Sequence, residues 1–207
     1  MTDSNILLFV ATSLIVILVP GQDMVLVMSH GMAQGSRAGL ITAAGVSVGH
    51  LGHTILAALG LCALLKSSEF LFDVLKYIGA AYLAYLGLRL IFTRQDRLDI
   101  SGSGNATLSR LFVTGALSNL SNPKITVFYF AFLPQFVPAG IDNPWVYLVA
   151  LGSGFSLLTF LLKAPLGVFS GLASAWVTGR PIVISMINAV SGVVLIGLGV
   201  KLAMDQQ

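Results

Sequence analysis

The chain has few charged residues. Of its 207 residues, 8 are Asp or Glu and 11 are Lys or Arg, which together make up 9% of the sequence, while 56% is hydrophobic. A soluble domain carries about 25% charged residues, so this chain has too few polar groups to cover a water-exposed surface. With a mean hydropathy of +0.92, the composition predicts an integral membrane protein that forms a single domain over residues 1–207, surrounded by lipid.

Other absences exclude whole classes of function. Cys62 is the only cysteine, which excludes an intrachain disulfide, a CxxC redox pair and a cysteine metal site. The sequence contains no phosphate loop, nucleophile elbow or zinc-protease helix, so we expect no enzyme activity and no cofactor. The formal net charge of +3 comes from few and scattered basic residues, which argues against a nucleic-acid partner.

The sequence contains several long apolar stretches. A membrane-spanning helix needs roughly 20 mostly apolar residues, and the stretches that meet this length are 5–28, 40–65, 70–92, 111–137, 145–172 and 181–202. A Ser- and Gly-containing segment, 93–110, separates the third stretch from the fourth and predicts a flexible linker. Because three helices are odd in number, the second half must cross the membrane inverted relative to the first. The sequence thus predicts an all-α fold of six transmembrane helices, as two inverted three-helix repeats, 5–92 and 111–203; the alternative is two unrelated halves.

The basic residues in the connections and near the ends of the apolar stretches predict the orientation. The first, third and fifth connections hold six of them, Arg37, Arg89, Arg94, Arg97, Arg110 and Arg180, and the other side holds three, Lys66, Lys76 and Lys201. Since Lys and Arg accumulate on the cytoplasmic side, both termini are expected in the periplasm. If one stretch, the third above all, fails to span, the carboxyl half is inverted instead.

Two prolines interrupt apolar stretches beside charged residues. Pro20 lies roughly 21 Å and Pro123 roughly 18 Å into its helix at 1.5 Å per residue, near the middle of a hydrocarbon core roughly 30 Å thick. A proline also frees the carbonyl about four residues earlier, which for Pro20 is Val16. Paired breaks of this kind mark the binding site of a secondary transporter. The residues predicted to bind the substrate are therefore Pro20, Gly21, Gln22, Asp23, Asn122, Pro123 and Lys124.

The ionisable residues in these stretches are the main candidates for chemistry, because charge is costly at that depth. Asp23 is predicted to bind a substrate ammonium group or to carry a coupling proton; alternatively it caps the broken helix or pairs with Lys124. Lys124 is predicted to meet a substrate carboxylate, with that ion pair or snorkelling as its alternatives. Asn122 either contacts the substrate or satisfies freed backbone groups. Lys163, which precedes Pro165, is a candidate for lining the transport pathway.

Two histidines share one face of the second apolar stretch. His50 and His53 are three residues apart, so they are neighbours on a helix, and histidine titrates near neutral pH. They are candidates for proton coupling, with helix packing as the alternative. We expect no metal site, since His30 is the only other histidine. The glycines of Gly45-Val46-Ser47-Val48-Gly49 form a GxxxG pattern that predicts close helix contact.

At these residues the chain resembles the LysE/RhtB family of small bacterial amino-acid exporters. The similarity runs over nearly the whole length and is carried by the stretches 19–24, 35–40, 45–53, 79–87, 122–136 and 192–202. One position departs from the family pattern: the family has Pro-Gly-Pro at the first break, and here Gln22 replaces the second proline.

The resemblance implies an inner-membrane permease that expels amino acids or close derivatives, driven by the proton motive force, and that assembles as a homodimer. Two other interpretations of the residues stay open. One is a membrane scaffold or sensor subunit that transports nothing. The other is a divalent-cation permease, although cation sites favour clustered carboxylates and only Asp23 lies deep in an apolar stretch.

Overall fold

The helices follow the predicted apolar stretches closely. The structure is a computed structural model that describes residues 3–67, 69–92, 106–138, 141, 143–170, 172 and 181–204. Its helices are α1 (Asp3–Leu18), α2 (Gln22–Gln34), α3 (Ser36–Ser67), α4 (Glu69–Phe92), α5 (Leu108–Leu120), α6 (Pro123–Val127), α7 (Pro144–Val168) and α8 (Pro181–Met204). Over the residues described there is no strand, which confirms the predicted all-α fold. Most of the predicted linker, from 93 to 105, lies outside the described residues.

Several helices have the length and composition to cross a bilayer. By themselves, Ser36–Gly60 of α3, Asp73–Phe92 of α4 and Pro144–Val168 are long and apolar enough. Helices α1 and α2 together form a further candidate span, bent by 55° where they meet. Large apolar side chains also face outward, among them Leu59, Phe92, Leu161 and Ile182. The chain is therefore a multi-pass membrane protein, while the count of six spans stays a prediction.

Each long helix packs against its counterpart in the other half of the chain. The most extensive contacts join α3 to α7 and α4 to α8, and α3 also packs along α5. In the predicted repeats, α3 and α7 are the second helices, and α4 and α8 are the third. This pairing is the one expected of two related halves, whose inverted arrangement remains a prediction.

The second interrupted helix ends in irregular turns that hold an aromatic core. After Val127 the chain continues as a π-helical turn, Phe128–Phe132, and a 3₁₀ turn, Leu133–Phe136. The Phe128 ring stacks on Phe155 of α7, with ring centroids 4.4 Å apart. This apolar layer also contacts the ring of His50 on α3, whose centroid lies 4.9 Å from that of Phe155.

Glycines allow α3 and α5 to touch through their backbones. A Cβ added to Gly45 would collide with the carbonyl of Phe112, and one added to Gly49 would lie 2.8 Å from the Ala116 carbonyl oxygen. From the other side, a Cβ added to Gly115 would lie 2.5 Å from the Thr42 carbonyl oxygen. The structure thus places the GxxxG pattern at a helix–helix contact, as the sequence predicts.

Replacing Gly45 with Val is expected to destabilise the protein by about 1–3 kcal/mol or more, because the side chain must push α5 away. Gly154 provides a matched control, since a Cβ added there meets nothing within 4 Å. Thermal unfolding of the purified variants in detergent should show a lower midpoint for Gly45→Val than for Gly154→Val. Equal midpoints would contradict the assignment of this contact.

Candidate functional site

The first break is bridged by a lysine from the other half of the chain. Helix α1 ends at Leu18, and the next turn lacks a donor because Pro20 has no N–H. The ammonium of Lys124 supplies it: Nζ donates to the carbonyls of Val16 at 3.1 Å and Val19 at 3.2 Å. The prediction that Pro20 frees the Val16 carbonyl is confirmed, and its partner lies on the second interrupted helix.

The second break is stabilised by its own sequence. Asn122 caps α6, since its Oδ1 accepts from the backbone N–H of Lys124 at 3.1 Å, and Pro123 occupies the first helical position, where a missing N–H costs nothing. The expectation that Asn122 satisfies freed backbone is therefore confirmed. Gly21 is extended at φ −168°, which any residue adopts, so the bend there does not depend on glycine's conformational freedom.

A cavity of about 380 Å³ lies between the two breaks. Its lining residues come from the first break, the second break, α4 and α8: Val19, Pro20, Gly21, Gln22, Asn122, Pro123, Lys124, Tyr82, Leu86, Arg89, Leu90, Asn188 and Leu195. All the residues predicted to bind substrate line this cavity except Asp23. The volume lies in the range of small-molecule sites, about 300–1,000 Å³.

Asp23 lies in a separate, buried ion pair. Its side chain is almost fully enclosed, with Oδ2 at 3.2 Å from Nζ of Lys163 on α7. The sequence suggested Lys124 as a partner for Asp23, and that interpretation is wrong: Lys163 provides the countercharge, while Lys124 binds the backbone of the first break. A buried pair of this kind is favourable only when further hydrogen bonds satisfy both groups.

Asn119 of α5 connects this pair to the histidines. Its Nδ2 donates to Asp23 Oδ2 at 2.8 Å and lies 3.2 Å from His50 Nε2. Its backbone carbonyl accepts from His53 Nε2 at 3.2 Å. Both imidazole rings stack on Tyr129, with centroids 6.0 and 5.4 Å away. The residues predicted for proton coupling, Asp23, His50 and His53, therefore form one connected cluster.

The cluster contains several buried polar atoms without a partner among the described residues. In the described part of the chain, no hydrogen bond reaches Asp23 Oδ1, His50 Nδ1, His53 Nδ1 or Asn119 Oδ1. Buried groups are normally paired, so these four atoms are exceptions within the cluster. Over the same residues, no group of three or more His, Cys, Asp or Glu side chains is arranged to hold a metal ion.

Three contributors were not predicted from the sequence. Asn119 stands out only as an amide within an apolar stretch, three residues before the second break. Arg89 lies near the end of α4, where a long basic side chain is expected to snorkel, yet it lines the cavity. Asn188 is the one amide in its apolar stretch, and that polarity is a signal that could have identified it.

Comparison with known sequences matches the arrangement to a family. The sequence model of LysE type translocators matches residues 14–206, which is nearly the whole chain. The chain belongs to the LysE family. It is thus a membrane translocator, and the resemblance seen along nearly the whole sequence is confirmed.

Named relatives of this LysE-family chain include leucine efflux proteins. The protein of that name from Klebsiella pneumoniae is 28% identical over 96% of this chain and 94% of its own length. The one from Enterobacter sp. (strain 638) is 27% identical over 96% of this chain and 95% of its own. An uncharacterised membrane protein of Pseudomonas aeruginosa is 32% identical over 91% and 89%. No solved structure gives a significant match.

Gln22, where this LysE-family chain departs from the Pro-Gly-Pro pattern, separates two cavities. It lines the cavity between the breaks and also a second, more open one of about 740 Å³ between α2 and α5. Its Nε2 donates to Ser118 Oγ of α5 at 3.0 Å. The amide therefore joins the two helices at the boundary of both cavities, a bond that proline cannot make.

Proposed function

We propose that this LysE-family protein exports amino acids, leucine among them, across the bacterial inner membrane in exchange for protons. The observation that carries the proposal is the cavity enclosed by two helix breaks, with Lys124 in its wall and the Asp23–Lys163 pair nearby. Interrupted helices around a central cavity are typical of secondary transporters. The leucine efflux relatives support the substrate class.

Proton coupling is proposed for the cluster around Asp23. Its Oδ1 accepts no hydrogen bond from any described residue, so a proton can add there without displacing a donor. Protonation would weaken the attraction to Lys163 across α2 and α7 and so loosen the contact between these helices. His50 and His53, joined to the pair through Asn119, would deliver or receive the proton.

Alternating access is proposed to act at Gln22. Because Gln22 borders both cavities and is hydrogen-bonded to Ser118, breaking that bond would connect them. Loosening of α2 through Asp23, the residue next to Gln22 in sequence, links protonation to this opening. The ligand and the proton would thus act on one helix, α2.

The membrane arrangement is proposed from the basic residues. Six Lys or Arg residues on one side against three on the other would place both termini in the periplasm, and a homodimer follows from the family resemblance alone. The position of the termini is tested with reporter proteins fused to each terminus, one active only in the periplasm and one active only in the cytoplasm. Light scattering of the detergent-solubilised protein tests the homodimer.

The transport proposal is tested with purified protein in liposomes loaded with labelled leucine. Acidifying the outside should speed leucine efflux several-fold, because inward proton flow would drive outward substrate flow, and a protonophore should remove the gain. Empty liposomes give the leak rate. Efflux no faster than this leak, for leucine and for a panel of other amino acids, would reject the exporter in favour of a scaffold or sensor.

A further inference from the structure

The charged residues that line the cavity between the breaks all carry positive charge. Two cationic side chains, Lys124 and Arg89, line it, and none of its described lining residues is Asp or Glu. The carboxylate of Asp23, the residue after Gln22, does not line the cavity and is held by Lys163 and Asn119. A low-dielectric cavity lined by one sign of charge attracts the opposite sign, so the cavity is suited to an anionic group.

Lys124 has a donor left for that group. An ammonium carries three N–H donors, and the carbonyls of Val16 and Val19 take two of them. The amino end of α2, which begins at Gln22 with no side-chain cap, adds its positive dipole end beside the lysine. Arg89, an exposed residue near the end of α4, also lines the cavity, and its planar fork of donors suits a carboxylate.

Asn188 supplies an acceptor in the same cavity. Its side chain is only 4% exposed, and its Oδ1 has no hydrogen-bond partner among the residues the structure describes. A buried amide oxygen without a partner is costly, unless a ligand donates to it. The other lining residues of α4 and α8 are three leucines, Leu86, Leu90 and Leu195, and Tyr82, whose ring carries a hydroxyl.

We propose that this cavity recognises an α-amino acid by three separate contacts, which rests on the proposed export function. Lys124 and Arg89 bind the carboxylate. Asn188 Oδ1 accepts from the ammonium, and the leucines contact an uncharged, apolar side chain. Since a neutral amide meets the ammonium and two cations remain in the wall, amino acids with cationic side chains are excluded.

This assignment gives Asp23 a different task from substrate binding. Asp23 does not line the cavity, and its Oδ2 already accepts from Asn119 and pairs with Lys163. Substrate charge is instead compensated by the cavity itself, and the buried pair is left for the proton. The two functions then lie on different residues and can be separated by experiment.

The proposal is tested by counterflow of labelled leucine into liposomes preloaded with unlabelled leucine, which needs no proton gradient. Each competitor removes or adds one feature: leucinamide lacks the carboxylate, 4-methylpentanoate lacks the ammonium, and lysine adds a cation. We expect each to compete about tenfold or more weakly than leucine, a difference of about 1.4 kcal/mol. Lysine or leucinamide competing as well as leucine would overturn the assignment.

Variants then assign each contact to its residue. Arg89→Gln should weaken competition by leucine and 4-methylpentanoate alike, whereas Arg37→Gln, at an exposed arginine of α3 outside the cavity, should leave it unchanged. Asn188→Leu should remove the preference for leucine over 4-methylpentanoate. Asn188→Asp, which keeps an acceptor, should retain it. A preference that survives Asn188→Leu would show that another group meets the ammonium.

The failure of this proposal differs from failure of the export function. If wild-type protein exchanges no amino acid, the export function is wrong. If the wild type exchanges leucine, but every competitor competes as well as leucine and every variant behaves as the wild type does, the export function is right and the three-contact assignment is wrong. The elution profile of each variant in detergent is the control for folding. If a variant does not fold, the competitor series measured on the wild type alone decides whether the three-contact assignment is right.

Discussion

Replacing either member of the Asp23–Lys163 pair alone is expected to destabilise the protein by about 3–5 kcal/mol, the usual cost of leaving one buried charge without its partner. Lys163→Met leaves the Asp23 carboxylate with Asn119 as its hydrogen-bond donor. Asp23→Asn leaves an ammonium buried on α7. Both variants should unfold at a lower temperature in detergent than the wild type.

The double variant Asp23→Asn, Lys163→Met is expected to recover most of that stability, because it removes both charges together. Replacing a buried ion pair by uncharged side chains of similar size is often neutral. Lys201→Met is the matched control, since Lys201 is exposed near the end of α8. If the single variants were as stable as this control, the pair would not hold α2 to α7.

The same double variant separates folding from coupling. Under the proposed mechanism it has no carboxylate to protonate, so acidifying the outside should no longer accelerate leucine efflux. Counterflow exchange of leucine should persist, because the cavity between the breaks is intact. Acid-driven efflux at the wild-type rate would remove Asp23 from proton coupling, whatever its role in stability.

The breaks themselves could be predicted because their causes are local. A proline removes a backbone N–H wherever it lies, and the helices are interrupted at Pro20 and Pro123, each beside polar or charged residues, whereas α7 continues through Pro165. The Asn122 cap is also a local feature, since its side-chain oxygen accepts from the backbone N–H only two residues away. These features depend on neighbouring residues and on the apolar setting, both of which are visible in the sequence.

The partners across the breaks could not be predicted, because each depends on how distant helices pack. Sequence reasoning joined Asp23 to Lys124, the other charge at a break, whereas α7 brings Lys163 to Asp23. Lys124 instead binds carbonyls of the opposite half. Helix contacts such as those of α4 with α8, which place Arg89 and Asn188 in one cavity, leave no periodic signal in either segment.

Replacing Lys124 with Met is expected to abolish leucine counterflow, because Lys124 serves both the fold and the ligand. The substitution removes a cation from the cavity wall and leaves the carbonyls of Val16 and Val19 without their donor. Each unsatisfied buried acceptor costs about 1–3 kcal/mol, so the unfolding temperature should fall as well. Counterflow at the wild-type rate in folded Lys124→Met protein would contradict the site.

The loss of transport and the loss of stability can be separated through Pro20. Adding Pro20→Ala to Lys124→Met returns a backbone N–H at the position from which a continuous helix would donate to the Val16 carbonyl. We expect this second substitution to raise the unfolding temperature part of the way back to wild type. Counterflow should stay absent, because no backbone N–H replaces the missing ammonium in the cavity. If restored stability also restored transport, Lys124 would be a structural bridge between the two breaks and the carboxylate would bind elsewhere.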